Sequence, residues 1–197
     1  MEDKIIRLPD PDLKGNISLE EAMYKRHSKR SFKKIPLTLN EAGQILWAAY
    51  GKNAYGKKTV PSAGATYPFD IYLVAGNVNN LKSGVYLYES NLHGLLPVKY
   101  GDLREKLAQA SFEQKFIAEA PVSIVLVAQF SRTTAFYGKR GERYVYIDAG
   151  HIGQNVSLQV ETMGLGTCMI GAFDDSKVAE VLGVKGNVVY IMPVGKI

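Results

Sequence analysis

Apolar and polar positions alternate along the chain with two different periods, and each change of period marks an element. Ser18-Leu19-Glu20-Glu21 reads as a capping box, Ser18 capping and Glu21 reaching back, and predicts a short helix to about Lys25. Thr38-Leu39-Asn40-Glu41 is a second box. Leu39, Ala42, Ile45, Leu46 and Ala49 follow it at helical spacing until Gly51 stops the helix. Phe69–Ala75 and Gly84–Tyr88 are β-branched and aromatic and predict strands. Val122–Phe130 is almost continuously apolar and predicts a buried central strand. Helical patterns begin at Asp102 and at Ser111, where Gln114 closes a capping box. A long helix is expected from Glu142 to Met163. Its apolar residues fall on more than one face, which predicts a central, well-buried position. Thr167–Phe173 reads as a strand, Asp175–Leu182 as a helix and Asn187–Val194 as a final strand. Residues 1–17, with Pro9, Pro11 and Gly15, read as an arm with little helix of its own, and residues 18–197 as one domain. Helices and strands mix without a strict βαβ rhythm. The predicted class is α+β, a mostly antiparallel sheet flanked by helices.

Composition narrows the function classes. A chain of 197 residues that is 46% hydrophobic and 22% charged is neither disordered, collagen-like nor a coiled coil. A single cysteine, Cys168, excludes an internal disulfide framework and a cysteine zinc site, and no His-x-x-x-His spacing suggests another metal. No apolar run has the length of a membrane helix. Met1-Glu2-Asp3-Lys4 does not open a signal peptide, so a cytoplasmic protein is expected. The net charge of +5 admits an anionic partner without choosing between nucleic acid, a phosphorylated cofactor and plain solubility.

Four segments carry candidate chemistry. Arg26-His27-Ser28-Lys29-Arg30 sets cations and a hydroxyl directly after a short helix. Arginine's planar fork suits a phosphate or a carbonyl edge, although a solvated helix end reads the same way. Pro61-Ser62-Ala63-Gly64-Ala65-Thr66-Tyr67-Pro68 is a rigid loop of small residues whose backbone something flat can approach. Gly164 to Asp175 stops a helix, forms a strand and leaves Gly171 and Ala172 uncovered at its end. It lacks the dinucleotide fingerprint. Pro193-Val194-Gly195-Lys196 brings a lysine near the close of the chain.

In this order and spacing the segments resemble the nitroreductase family of FMN-dependent oxidoreductases. The matching residues are Arg26, His27, Ser28, Arg30 and Phe32, then Pro61, Ser62, Pro68 and Phe69, then Ala172, Phe173 and Asp174, and last Pro193 to Gly195. Asp148-Ala149-Gly150-His151 and Gln154-Asn155, with the wording of the Pro-Ser loop, look most like the SagB-type branch, which includes azoline dehydrogenases acting on peptides. The resemblance covers roughly Leu19 to Lys196. It implies a nitroreductase-like α+β fold working as a homodimer, with FMN at the interface and NAD(P)H as the electron donor. Arg26, His27, Ser28, Arg30 and Lys196 would serve the FMN phosphate and pyrimidine edge. Pro61, Ser62, Ala63 and Gly64 would come from the other subunit, and Gly171 and Ala172 would set backbone N–H groups near N5 and O4 of the flavin. The chemistry would rest on flavin N5 with no side-chain acid or base. The acceptor implied is a small nitroaromatic or quinone.

The sequence departs from the family pattern at Ala65 and Tyr67, where many members carry asparagine and glutamine, and one ring contact is therefore expected to be missing. Phe136 stands before Tyr137-Gly138 where azoline dehydrogenases commonly carry a lysine. The rival readings are that dehydrogenase and a non-catalytic flavin- or nucleic-acid-binding protein. Elsewhere, His151 is expected to be a satisfied buried histidine, His93 exposed in a turn, Cys168 and Trp47 packing residues, and Asp174 a helix cap.

Overall fold

A computed structural model describes residues 5–197, and the apolar run Val122–Phe130 supplies its central strand. That strand, β5 (Val122–Ala128), is buried at every position. Its side chains alternate as extended backbone requires. Val122, Ile124, Leu126 and Ala128 join the core on one face, Val125 and Val127 the core on the other. Burying each branched side chain contributes about 1.5–3 kcal/mol, so both faces must be covered. β5 pairs with β2 (Phe69–Ala75) on one side and β7 (Asn187–Lys196) on the other. Beyond β2 lie β3 (Gly84–Glu89), β4 (Gly94–Tyr100) and the short β1 (Ile6–Arg7), and beyond β7 lies β6 (Leu165–Thr167). Every pairing between these strands is antiparallel.

Helices α2 (Leu39–Tyr50) and α6 (Arg140–Thr162) cover one face of the sheet. Helices α3 (Arg104–Ala110), α4 (Phe116–Glu119) and α7 (Asp175–Leu182) cover the other. Helix α1 (Leu19–Lys25) and helix α5 (Ser131–Tyr137) both pack on α6. The two capping boxes behave differently. Thr38 and Glu41 exchange both bonds, whereas only the Ser18 hydroxyl engages its helix. No helix among the described residues is long and apolar enough to cross a membrane. The reading of Met1–Lys4 lies outside the described residues.

Several boundaries differ from expectation. The Ser111 box does not start a helix. Phe112 and Glu113 turn left-handed at φ 56° and 59°, Gln114 bonds the Ser111 carbonyl instead, and α4 begins only at Phe116. The strand expected over Thr167–Phe173 lies earlier, at Leu165–Thr167, with one further bridge between Ile170 and Ile191. The central strand stops at Ala128, because Phe130 precedes the unpredicted α5. β4 was also not legible, since Pro97 and three exposed residues blur its alternation. The long helix is not buried all round, with Tyr146 60% and Ile147 48% exposed. His93 is not free in its turn: its ring bonds the Tyr88 hydroxyl at 2.8 Å and the Pro9 carbonyl at 2.9 Å, tying the arm to the β3–β4 hairpin.

Candidate active site

The basic stretch leaves α1 and runs extended along the sheet edge. The Lys29 N–H donates to the Thr167 carbonyl of β6 at 2.9 Å, and the Lys33 N–H to the Lys196 carbonyl of β7 at 2.9 Å. Lys29 turns inward, its Nζ 3.0 Å from Glu161 Oε1 of α6 in a largely buried pair. Phe32 is also buried, in the space a side chain at Gly195 would take. A Cβ there would lie 2.7 Å from Pro121 Cδ and 3.0 Å from Phe32 Cδ1. That close approach explains why the Phe32 and Pro-Val-Gly segments belong together. With Lys29 and Phe32 locked inward, Arg26, His27, Ser28 and Arg30 remain exposed. The His27 ring bonds the Lys25 carbonyl at 2.9 Å. Lys196 is ion-paired with Glu41 of α2. Burial pushes the Glu41 carboxyl up, but Lys196, the Thr38 N–H and the Thr38 hydroxyl together hold it below the ordinary glutamate value.

Past β6, Ile170 exchanges backbone bonds of 2.9 and 3.0 Å with Ile191, and the chain then exposes Gly171 and Ala172. The Ala172 carbonyl is tied back to Gln114 Nε2 at 2.9 Å, and Asp174 caps α7. Gly171 opens on a cleft of about 420 Å³ whose walls include Phe130, Tyr146, Gly150 and Tyr190. A side chain at Gly171 would meet nothing nearer than Tyr190 Cε2 at 4.0 Å, and one at Gly150 would meet nothing within 4 Å. The packing of this chain therefore does not require glycine at either position. Together they leave a wall without side chains, which a planar molecule can approach to backbone distance.

The Pro-Ser loop lies on the other side of α6. Asn155 Nδ2 donates to the Ala48 and Thr59 carbonyls at 3.1 and 3.3 Å, and the His151 ring sits 3.3 Å from the Pro61 carbonyl. The buried carboxylate of Asp148 lies on the same face of α6, where Ser62 and the Ala63 N–H lower its pKa against the effect of burial. Tyr144 stacks edge-on with Tyr137, whose hydroxyl covers Gly64. Tyr144, Asp148, His151 and Asn155 recur at i, i+4, i+7 and i+11, one face of the helix. Tyr146, Gly150 and Gly153 form the opposite face, towards the cleft, Tyr190 and Met169. His151 is thus a half-exposed loop anchor, not a buried core histidine. Tyr67 points away from the loop's outer surface: its ring packs edge-on against Tyr50, and its hydroxyl accepts the Lys58 N–H at 3.4 Å. Cys168 is buried, as expected.

In the sequence Asp148 stands out only as part of the Asp148-Ala149-Gly150-His151 motif, and nothing local places it under the loop. The legible signal is the recurrence of Tyr144, Asp148, His151 and Asn155 at helical spacing.

A glycine wall suits a flat ring, and a ribbon of exposed guanidinium groups suits a phosphate. A flavin nucleotide offers both, a flat ring and a phosphate. The nitroreductase family profile matches residues 23–196. The chain belongs to the nitroreductase family and is a nitroreductase-like oxidoreductase. A protein of Methanocaldococcus jannaschii named as a nitroreductase is 43% identical over 192 residues, covering 97% of this chain and 96% of the relative. A crystal structure from Ralstonia eutropha JMP134, also named as a nitroreductase, superposes with a TM-score of 0.86 at 28% identity over 99% of this chain and 90% of that one. The trifolitoxin-processing protein TfxB of Rhizobium leguminosarum bv. trifolii is 28% identical over 138 residues, 68% of this chain and 37% of the relative.

Proposed function

We propose that the chain is one half of a homodimer that passes a hydride from NAD(P)H through FMN to a small nitroaromatic or quinone. When bound, the flavin supplies the two-electron chemistry at N5, so the protein needs no strong acid or base of its own. The residues present fit such a group. Arg26, Ser28 and Arg30, exposed on a locked ribbon, would hold the phosphate and the pyrimidine edge by charge-assisted hydrogen bonds. His27 would flank them. Lys196, shared with Glu41, would add the weaker part of its charge. The backbone N–H groups of Gly171 and Ala172 would orient the ring against the open wall.

The single observation that carries the dimer is the arrangement around α6. Pro61, Ser62, Ala63 and Gly64 rest on one face of this helix and the Gly171 cleft opens on the opposite face. If both serve one flavin, the loop must come from a second copy. A flavin-loaded dimer by sedimentation, yellow as purified and oxidising NAD(P)H only when menadione or a nitrofuran is present, is the expected result. Colourless protein that takes up no FMN on reconstitution would end the flavin reading, and a flavin-loaded monomer would end the dimer.

A second reading, oxidation of a ring borne on a peptide, is favoured by the likeness to the trifolitoxin-processing protein. Against it stands Phe136, 77% exposed, where the dehydrogenase pattern has lysine. Turnover of a thiazoline peptide without added nicotinamide would favour this second reading.

A further inference from the structure

The turn above Asp148 is strained. Gly64, Ala65 and Tyr67 all lie in the left-handed region, at φ 57°, 52° and 46°. L-residues enter that region at a cost, and such a turn persists only where its surroundings over-determine it. From above, Thr66 bonds Thr133 at 2.8 Å and Tyr137 covers Gly64. From within, the Ser62 hydroxyl accepts the Tyr67 N–H at 3.0 Å. From below, Asp148 meets the turn from α6. It is 3% exposed, and its Oδ2 has no hydrogen-bond partner among the described residues.

Other groups near it leave this carboxylate poorly neutralised. His151 Nδ1 stands 3.9 Å from Oδ1 on the same helix. Tyr50 of α2 also lies within its field, and beyond Tyr50 stands the Arg132–Asp70 pair at 2.8 Å. Burial raises the Asp148 pKa above its ordinary value, while Ser62, His151 and the Ala63 N–H draw it part of the way back. A buried carboxylate with a free oxygen costs the fold stability that a neutral isostere would not. Its place is explained by the turn it faces.

We propose that Asp148 is a positioning residue: its buried carboxylate, on the face of α6 that packs against the Ala63–Ala65 turn, sets the strained turn in the shape that meets the flavin of a second copy. This rests on the function proposed above. The group acts on the loop and touches neither cofactor nor acceptor.

Asp148→Asn in the full-length protein is the test, because it keeps shape and removes charge. At mildly alkaline pH the variant should melt no lower than the parent, since a buried charge has been relieved. Its FMN affinity should nevertheless fall about tenfold, because the turn loses the charge that shapes it. The parent's FMN affinity should also fall as Asp148 takes up its proton on acidification, and the variant should lack that step. Without FMN, the amides of Ala65 and Thr66, which bond the Ser62 and Ala63 carbonyls, should exchange hydrogen faster in the variant. Unchanged FMN affinity and unchanged exchange would overturn the proposal. So would parallel losses of melting temperature and affinity, because Asp148 would then be structural only. If the parent binds no FMN, the function proposed above fails, and the exchange measurement still decides whether Asp148 holds the turn.

Discussion

Gly171→Val separates the needs of the fold from those of the site. The Cβ it adds lies 4.0 Å from its nearest neighbour, Tyr190 Cε2, which is ordinary contact, and the position is exposed. Gly171 is not among the residues with positive φ, so a β-branched side chain meets no backbone strain there. Stability should therefore change by less than about 1 kcal/mol, a melting shift of no more than about 2–4 °C for a chain of this length. The isopropyl group would nevertheless stand in the cleft, on the wall against which the ring is proposed to lie. Losing the backbone contact and tilting the ring should cost about 3 kcal/mol of FMN binding, on the order of a hundredfold in Kd. Thermal melts without FMN, flavin fluorescence titration and steady-state NAD(P)H oxidation measure the three quantities. Wild-type affinity and turnover in the variant would remove the strand end from the site and refute the reasoning. Cys168→Ser is the control. The thiol is 2% exposed and its nearest polar contact is the Met169 carbonyl at 3.8 Å, so turnover should stay within a few-fold. A folded, FMN-loaded but dead Cys168→Ser would show that the thiol takes part in the chemistry.

Arg30→Ala and Arg26→Ala should each weaken FMN by about 1.5–3 kcal/mol while leaving the melt unchanged, because both guanidinium groups are exposed; unaltered flavin content in both would reduce the ribbon to a solvated edge. Gly195→Ala should do the opposite of Gly171→Val, losing about 1–3 kcal/mol of stability because its Cβ collides with Pro121 and Phe32, as denaturant melts will show. Glu41 is held below its ordinary pKa when folded, so its contribution is complete above the unfolded value and is lost as pH falls through the lower folded value. Glu41→Gln should flatten that acid limb of the stability profile, and an identical limb in both proteins would contradict the pairing with Lys196.

The elements legible in the sequence were those whose local chemistry and tertiary role agree. Thr38 and Glu41 sit at the head of a helix that also carries a clean apolar stripe, and the helix runs from Leu39 to Tyr50. Ser111 and Gln114 have the same spacing, but Ile117 and Ala120 must reach the core first, and the chain takes two left-handed residues to get there. Tertiary burial overrode the cap. The strand near Thr167 was misplaced for a related reason. Its apolar residues continue to Phe173, but β7 offers a full ladder only as far as Thr167, where Leu165, Gly166 and Thr167 face Lys196, Gly195 and Val194.

The same tension explains what was hidden at the site. Apolar residues on several faces of α6 suggested a helix buried all round, whereas the structure gives its faces separate tasks. Val145, Ile152, Val156 and Val160 bury against the sheet. Asp148 and His151 face the loop, Asn155 bonds the Ala48 and Thr59 carbonyls ahead of it, Tyr144 packs on Tyr137, and Tyr146 and Gly150 line the cleft. Hydropathy cannot distinguish the last two faces, because a loop anchor and a cleft wall both mix polar, small and aromatic residues. Position along the helix can. Residues three and four apart share a face, and Asp148 with Gly150 do not. Neighbours in sequence thus belong to opposite surfaces, and in the dimer proposed above one helix would offer a loop to one flavin and a wall to another.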